Sequence, residues 1–429
     1  MKLSLSLAAI AALLPQALGI SRWDTCGGGG VTTGKCDDGL VCVELSEYYY
    51  QCLKLAPPYS PTSTSTSTST RTTSTTLSSS TSTLSSSSST STSQSTSTSI
   101  STTTTSSTSS STSATSTYVC PGAKKFKYFG VNESSAEFGS AIPGTLNKDY
   151  TWPSPSSVDY FLGKGMNFFR IPFMMERMSP PATGLTGPFD SAYLSGLKTI
   201  VNYITSKGGY AALDPHNYAR YNGSVITDVS LFKTWWKNMA TEFLTNDHVI
   251  FDLNNEPWGI PATDAAALMQ AGLDGVRAAG ATQSVFVQGT SWTGAWSWES
   301  SGNGDAFKTI SDPLNNVVIE MHQYLDTDGS GTNSTCVSPT VGAERLQVAT
   351  NWLKANNKKG FIGELGAGSN NDCISAIRGA LCLMQTSDVW IGFAWWAAGP
   401  WWGNYYQSIE PPSGPAIARI LPEALLPFA

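Results

Sequence analysis

The chain has 429 residues, a formal net charge of −6 and 13% charged residues, half the usual ~25%. It is long enough for more than one folded unit. It carries no basic stripe, so nucleic acid is excluded as an expected partner.

Residues 1–19, "MKLSLSLAAIAALLPQALG", combine a basic Lys2, an apolar run and the small-x-small end Ala17-Leu18-Gly19. That pattern reads as a secretory signal peptide. The run is short for a ~20-residue membrane span, and no later run is longer. The mature protein is therefore expected outside the cell, with no membrane partner and with oxidised cysteines.

Residues 20–56 hold Cys26, Cys36, Cys42 and Cys52. So small a unit needs disulfides to fold, and spacing alone allows three pairings. Trp23, Tyr48, Tyr49 and Tyr50 cannot all be interior; exposed flat rings can stack on sugar faces. A growth-factor-like or inhibitor knot is the alternative. "WDTCGGGG", "GLVC" and "YYYQC" resemble the fungal-type family 1 cellulose-binding module. The resemblance implies a flat binding face of Trp23, Tyr48 and Tyr49 with Gln51 beside it, and the pairs Cys26–Cys42 and Cys36–Cys52. The first Cys–Cys loop is one residue short of that family's pattern, and Ser46 stands where Asn is usual.

Residues 57–117 are almost wholly Ser and Thr, with Arg71 the only charge. Such a tract cannot bury a core. It reads as an O-glycosylated spacer between two folded units.

Residues 118–429 show eight short apolar runs. They are "FKYFGVN" (126–132), "NFFRIPF" (167–173), "YAALDPHN" (210–217), "VIFDLNNEP" (249–257), "SVFVQGT" (284–290), "NVVIEMHQYL" (316–325), "GFIGELG" (360–366) and "WIGFAWWAAG" (390–399). Amphipathic helical stretches lie between most of them. Near-continuous apolar strands alternating with helices predict a parallel sheet, and eight units predict an α/β fold of the (β/α)8 TIM-barrel type. An open doubly wound sheet would normally carry a Gly-rich phosphate loop after the first strand, and none is present.

In such a barrel the chemistry sits at the C-terminal strand ends. There the sequence places Arg170, His216, Asn217, Asn255, Glu256, His322, Tyr324, Glu364 and Trp396. Glu256 closes strand 4 and Glu364 closes strand 7, nearly opposite across the mouth. Two facing carboxylates are the equipment of glycoside cleavage, one as acid and one as nucleophile. Their environments must then push their pKa values apart. Arg170 and Tyr324 are suited to an anionic Glu364, and the Asn255 amide to a sugar 2-hydroxyl. Trp258, Trp292, Trp296, Trp298, Trp396, Trp401 and Trp402 follow or end strands 4, 5 and 8, as if paving a groove for a sugar chain. No short His or Cys spacing supports a metal site, and no cofactor is expected.

"GVNESSAEFG", "DPHNYARY", "NNEP", "EMHQYLD", "GELGAG" and "WWAAGPWWGNYYQSIEPPSG" occur in the order found in glycoside hydrolase family 5, and the domain resembles its fungal endoglucanase branch. The resemblance implies retaining hydrolysis of β-1,4-glucan, with Glu256 as acid/base and Glu364 as nucleophile. Arg170, His216, Asn255, His322 and Tyr324 would complete the catalytic set. Trp396 would be the platform beneath the reacting sugar, with Trp258, Trp292, Trp401 and Asn217 along the chain. Trp258 stands where the family often has His or Tyr. Cys336–Cys373 matches a family disulfide, which leaves Cys120 with Cys382. Asn222 and Asn333 head exposed-looking N-glycosylation sequons, whereas Asn132 heads one expected to stay bare near the cleft. The whole reads as a secreted, monomeric enzyme acting on cellulose and related β-glucans. The rivals are a retaining hydrolase of mannan, xyloglucan or β-1,3-glucan, a cell-wall binding protein whose barrel no longer catalyses, and a metal-dependent hydrolase.

Overall fold

The computed structural model describes residues 25–28, 31–32, 35–46, 49–53 and 120–429. The expected signal peptide and spacer lie outside the described residues, as do Trp23, Tyr48 and the side chains of Tyr49 and Gln51.

The described part of the small unit is an antiparallel four-stranded sheet in the order Val31–Thr32, Thr25–Gly28, Tyr49–Leu53, Val41–Ser46. Cys26 is bonded to Cys42 and Cys36 to Cys52. Cys26, Cys36 and Cys52 are buried and form its core, with Leu40, Cys42 and Tyr50 packed against them. Disulfides thus stand in for the apolar core that so few residues cannot build.

The large unit is a closed barrel of eight parallel strands in sequence order. They are β1 (Tyr128–Glu133), β2 (Phe168–Phe173), β3 (Tyr210–Pro215), β4 (Val249–Asp252), β5 (Val285–Gln288), β6 (Val317–Tyr324), β7 (Gly360–Gly366) and β8 (Trp390–Ala398). Each falls inside or within a residue of a predicted apolar run. The outer helices are α1 (Pro155–Leu162), α2 (Ser191–Ser206), α3 (Val229–Thr241), α4 (Ala262–Ala278), α5 (Val341–Ala355) and α6 (Asn371–Ser387). Ser154, Asp190, Asp228 and Asn370 cap α1, α2, α3 and α6 through their side chains, satisfying otherwise orphaned amide groups.

The fifth unit departs from the repeat. Between β5 and β6 the helix shrinks to Asn303–Ala306 and a 3₁₀ turn at Phe307–Thr309. The stretch "GTSWTGAWSWESSGNG" has no apolar stripe at helical spacing, and Ser291, Trp292 and Thr293 all take positive φ. A wall of loop replaces a helix there. Cys120–Cys382 fastens the start of the domain to α6, and Cys336–Cys373 ties the loop after β6 to the first turn of α6.

Two apolar layers hold the barrel. One lies between strands and helices. The other fills the barrel floor with one residue per strand: Tyr128, Phe168, Ala212, Ile250, Phe286, Val318, Phe361 and Ala394. Side chains alternate along a strand, so the next inward layer comes two residues later. That layer is Gly130, Arg170, Asp214, Asp252, Gln288, Glu320, Gly363 and Trp396, all buried. The barrel is greasy at its floor and ionic one layer up.

Candidate active site

Arg170 is the hub of that ionic layer. Its Nε donates to Asp252 Oδ2 (2.7 Å) and lies 3.2 Å from Glu320 Oε1. Its Nη1 donates to Asn132 Oδ1 and Glu364 Oε1 (both 3.0 Å) and pairs with Asp214 Oδ2 (3.0 Å). Its Nη2 donates to Asn255 Oδ1 (2.7 Å). A buried guanidinium is tolerated when its forked donors are filled by charge-bearing acceptors. Three of those acceptors, Asp214, Asp252 and Glu320, went unnoticed in the sequence. Their signal was present: each stands two residues past a floor residue, on the inward parity.

Glu364 breaks that parity, since its neighbour Gly363 occupies the inward position. The pairing of β7 with β8 shifts register between Ile362 and Leu365, and that of β6 with β7 between Met321 and His322. Such bulges re-aim a side chain. Glu364 therefore reaches both Arg170 and the Tyr324 hydroxyl, which donates to its Oε2 at 2.5 Å.

Glu256 lies past the end of β4 at φ 42°, in the left-handed region that non-glycine residues rarely occupy. Its amide donates to Gln288 Oε1 (2.8 Å), which holds the turn. Its Oε1 is 2.7 Å from His322 Nδ1. One oxygen of Glu256, one of Glu364 and a His322 ring nitrogen all lie within 4.8 Å of one another. They already hydrogen-bond within the site, and each is needed for the chemistry below.

The two glutamates sit in unlike surroundings. Burial, then the charge of Glu364, pushes the Glu256 carboxyl well above the usual carboxylate range. Burial raises Glu364 too, but the Arg170 guanidinium and the Tyr324 hydroxyl pull it back. Both carboxyls are raised, Glu256 the further, so the proton held longest by the pair resides on Glu256.

His216 completes a second row. Its Nδ1 is 2.8 Å from Asp214 Oδ2, and its Nε2 is 3.1 Å from Asn255 Nδ2. The Asn255 amide group can only donate, so Nε2 accepts and Nδ1 carries the hydrogen. Burial pushes His216 down to about 3, so the ring is neutral. Asn255 is thereby fixed at both ends, with one N–H left for a ligand. The Trp396 indole stacks on His216 (5.4 Å, 14°) and packs among Phe138, Tyr324, Trp402 and Tyr405.

These groups open into a cleft of about 310 Å³ lined by His216, Glu256, Trp292, Trp296, His322, Tyr324, Glu364, Trp396, Trp402 and Tyr405. The 328–332 segment forms one wall, held by Asp326, which accepts hydrogen bonds from the amides of Gly331, Thr332 and Asn333. The structure thus brings together Arg170, His216, Asn255, Glu256, His322, Tyr324, Glu364, Trp396 and Trp292.

Three expected chain-binding residues lie outside the lining of this cleft. Asn217 is spent on structure: Oδ1 accepts from Met175 N (2.8 Å) and Nδ2 donates to Glu176 (2.7 Å). Trp258 backs Trp292, its ring stacked on it (5.8 Å, 8°). Trp401 stands outside the lining. Trp298 is also core, fully buried against Phe307 and Trp352. Trp402, expected among the groove-paving rings, does line the cleft, and so does Tyr405, which the sequence reading did not single out; both come from a loop that only folding places beside β8. Asn132 is fully buried, its Nδ2 donating to Gly363 O (2.8 Å) and Trp395 O (3.1 Å), so its sequon is closed to a glycan. Asn222 and Asn333 are exposed.

A barrel with paired carboxylates at its C-terminal mouth and an aromatic cleft defines a glycoside hydrolase. The chain belongs to the cellulase family, glycosyl hydrolase family 5, whose model matches residues 124–399. It is similar to endo-beta-1,4-glucanase B of Aspergillus niger (52% identical over 300 residues, 70% of this chain and 89% of that protein). It also resembles endoglucanase gh5-1 of Neurospora crassa (50% over 293 residues, 68% and 74%). Among solved structures it matches the endo-beta-1,4-glucanase Xac0029 from Xanthomonas axonopodis pv. citri (TM-score 0.67, 40% identical, covering 71% of this chain and 100% of that one). XacCel5A, solved in complex with cellopentaose, matches equally well (TM-score 0.67, 43% identical, 71% and 99%).

Proposed function

We propose that the protein is a secreted endo-β-1,4-glucanase that cuts internal bonds of cellulose with retention of anomeric configuration. The carrying observation is that one oxygen of Glu256 and one of Glu364 lie within 4.8 Å of each other, too close for a water between the two carboxyls, in unlike surroundings. Retaining enzymes hold their carboxyls about 5–5.5 Å apart, whereas inverting ones leave about 6.5–9.5 Å for a water.

In the first step Glu364 attacks the anomeric carbon while the protonated Glu256 gives its proton to the departing glycosidic oxygen. The glucan fragment leaves, and an ester to Glu364 remains. Glu256, now ionised, takes a proton from water as that water attacks the same carbon, and Glu364 departs as a carboxylate. The free Asn255 N–H is placed for the sugar 2-hydroxyl, and Trp396 forms the platform beneath the ring. The small disulfide unit would hold the enzyme on insoluble cellulose through Trp23, Tyr48 and Tyr49, and the Ser/Thr tract would give it reach. Such tethering raises the local substrate concentration without altering the chemistry. The leader-like start and the disulfides support secretion. Among the described residues no helix is long and apolar enough to cross a membrane. The relatives named endoglucanase support the choice of substrate.

Proton NMR of fresh hydrolysate from a soluble β-1,4-glucan, with mannan in parallel, tests this. The β-anomer should appear first from glucan. The α-anomer first would reject the nucleophile, and cleavage of mannan alone would reject the substrate.

A further inference from the structure

Glu320 is a carboxyl of the ionic layer that the double displacement leaves without a task. It is fully buried on β6, two residues before His322. Its Oε1 lies 3.5 Å from His322 Nε2 and 3.2 Å from Arg170 Nε. His322 Nε2 is buried with no hydrogen-bond partner, and Glu320 is held by the Arg170 ion pair and a side-chain hydrogen bond with Asp252. The other side of the same ring, Nδ1, is 2.7 Å from Glu256 Oε1. Glu256, His322 and Glu320 thus form a row with the imidazole in the middle.

The space for Glu320 is built into the neighbouring strand. A Cβ on Gly363 would collide with Glu320 Oε1, so β7 carries a glycine where the carboxyl lies. The layer also holds too much negative charge for full ionisation. Among the described residues Arg170 is the one cation facing Asp214, Asp252, Glu320 and Glu364. Burying that many anions against one guanidinium is prohibitive, so protons must remain in the layer. Burial and the adjacent Asp252 push Glu320 far up, while burial and Arg170 keep His322 neutral.

We propose that Glu320 is a positioning residue for the acid/base: it exchanges one proton with Glu256 through the His322 ring. In one state Glu256 O–H donates to Nδ1 and Nε2–H points to the Glu320 carboxylate. In the other, Nδ1–H donates to the Glu256 carboxylate and Glu320 O–H donates to Nε2. Passage between them moves one hydrogen across each contact and leaves the ring neutral throughout. No atom or charge is gained or lost. Contraction of the 3.5 Å gap as the site fills would complete the row, since such bonds tighten in the substrate complex. Glu320 thereby shares the acid proton with Glu256 from below, in a cleft whose mouth is covered by sugar. Other charged or titratable groups face the row: Arg170 (β2), Asp214 and His216 (β3 and its end), Asp252 (β4), Tyr324 (β6) and Glu364 (β7).

The proposal rests on Glu256 being the acid/base. The test uses the full chain labelled at glutamate Cδ with carbon-13, as wild type and as Glu320→Gln. In the wild type, the Glu256 and Glu320 resonances should share two inflections, because linked sites titrate as a pair. In the variant Glu256 should titrate in one step, lower than the upper wild-type step. The alkaline limb of kcat/KM on cellopentaose should fall by about one pH unit, with the acid limb unmoved. A one-step Glu256 titration in the wild type overturns the proposal, and needs no variant to fold. An alkaline limb unmoved in a folded, active Glu320→Gln enzyme also overturns it, since a merely structural role would lower activity without shifting the profile. The spectral arm needs no substrate: a wild type that leaves cellopentaose uncut would count against the proposed function, while the proton row is still decided by the titration.

Discussion

The Tyr324 hydroxyl donates to Glu364 Oε2 at 2.5 Å, while Arg170 occupies the other oxygen at 3.0 Å. Both stabilise the anion, and both are buried, where such bonds are strong. Tyr324→Phe should lower kcat/KM about 10–100-fold, the value of a hydrogen bond to a charged group. Removing the donor raises the pKa of Glu364. The acid limb of the pH profile should therefore move to higher pH while the alkaline limb stays. An unmoved acid limb would show that Tyr324 does not tune the nucleophile.

Glu256→Gln should separate the two steps. An aryl cellobioside with a strongly acidic phenol needs no proton to depart, so the first step survives and the second, lacking its base, slows by about 10²–10⁴-fold. Stopped-flow absorbance should then show a burst of phenol followed by a slow steady state. Azide should speed that phase and yield the β-azide. Glu364→Gln should show neither burst nor rescue.

Arg220, Trp258 and Trp292 form a three-layer stack behind the cleft. The Arg220 guanidinium is 3.9 Å from the Trp258 ring centroid, and that ring lies parallel to Trp292 at 5.8 Å. Only Trp292 faces the cleft. Trp258→Ala should let Trp292 tilt and lose a stacking contribution of about 0.5–1.5 kcal/mol. The expected result is a KM for cellopentaose raised about 2–10-fold with kcat little changed. Equal loss in kcat would place Trp258 in the chemistry instead.

Glu137 links the fold to pH. It accepts hydrogen bonds from the Ser134 hydroxyl and the Ser135 amide, and burial pushes it from 4.5 to about 8. The folded chain therefore holds this proton more tightly than the unfolded chain. The stabilisation is full below pH 4.5 and is lost as pH rises through about 8. Urea midpoints should fall across that window, with Glu137 contributing on the order of 5 kcal/mol at most. Glu137→Gln should flatten the curve, and an unchanged slope would rule Glu137 out as its source.

The sequence by itself determined the strands, because eight apolar runs of strand length leave few folds that bury them. It also determined which glutamates close strands 4 and 7, since a carboxylate at the end of such a run is conspicuous. The disulfide pairs in the structure are those the two family resemblances and the remaining cysteines implied. What it did not reveal depends on facing. Asp214, Asp252 and Glu320 lie inside apolar runs and gain meaning only when closure brings their strands around Arg170. Glu364 points inward because a bulge overrides strand parity, and the lone hint of one in "FIGELG" is the glycine within the strand, which equally marks a close approach. Trp258, Trp298 and Trp402 are alike in sequence, yet one backs the cleft wall, one is core and one lines the cleft. Which face of a ring meets sugar is set by loop conformation after β4, β5 and β8. Those loops follow no hydrophobic period, so only the tertiary structure decided them.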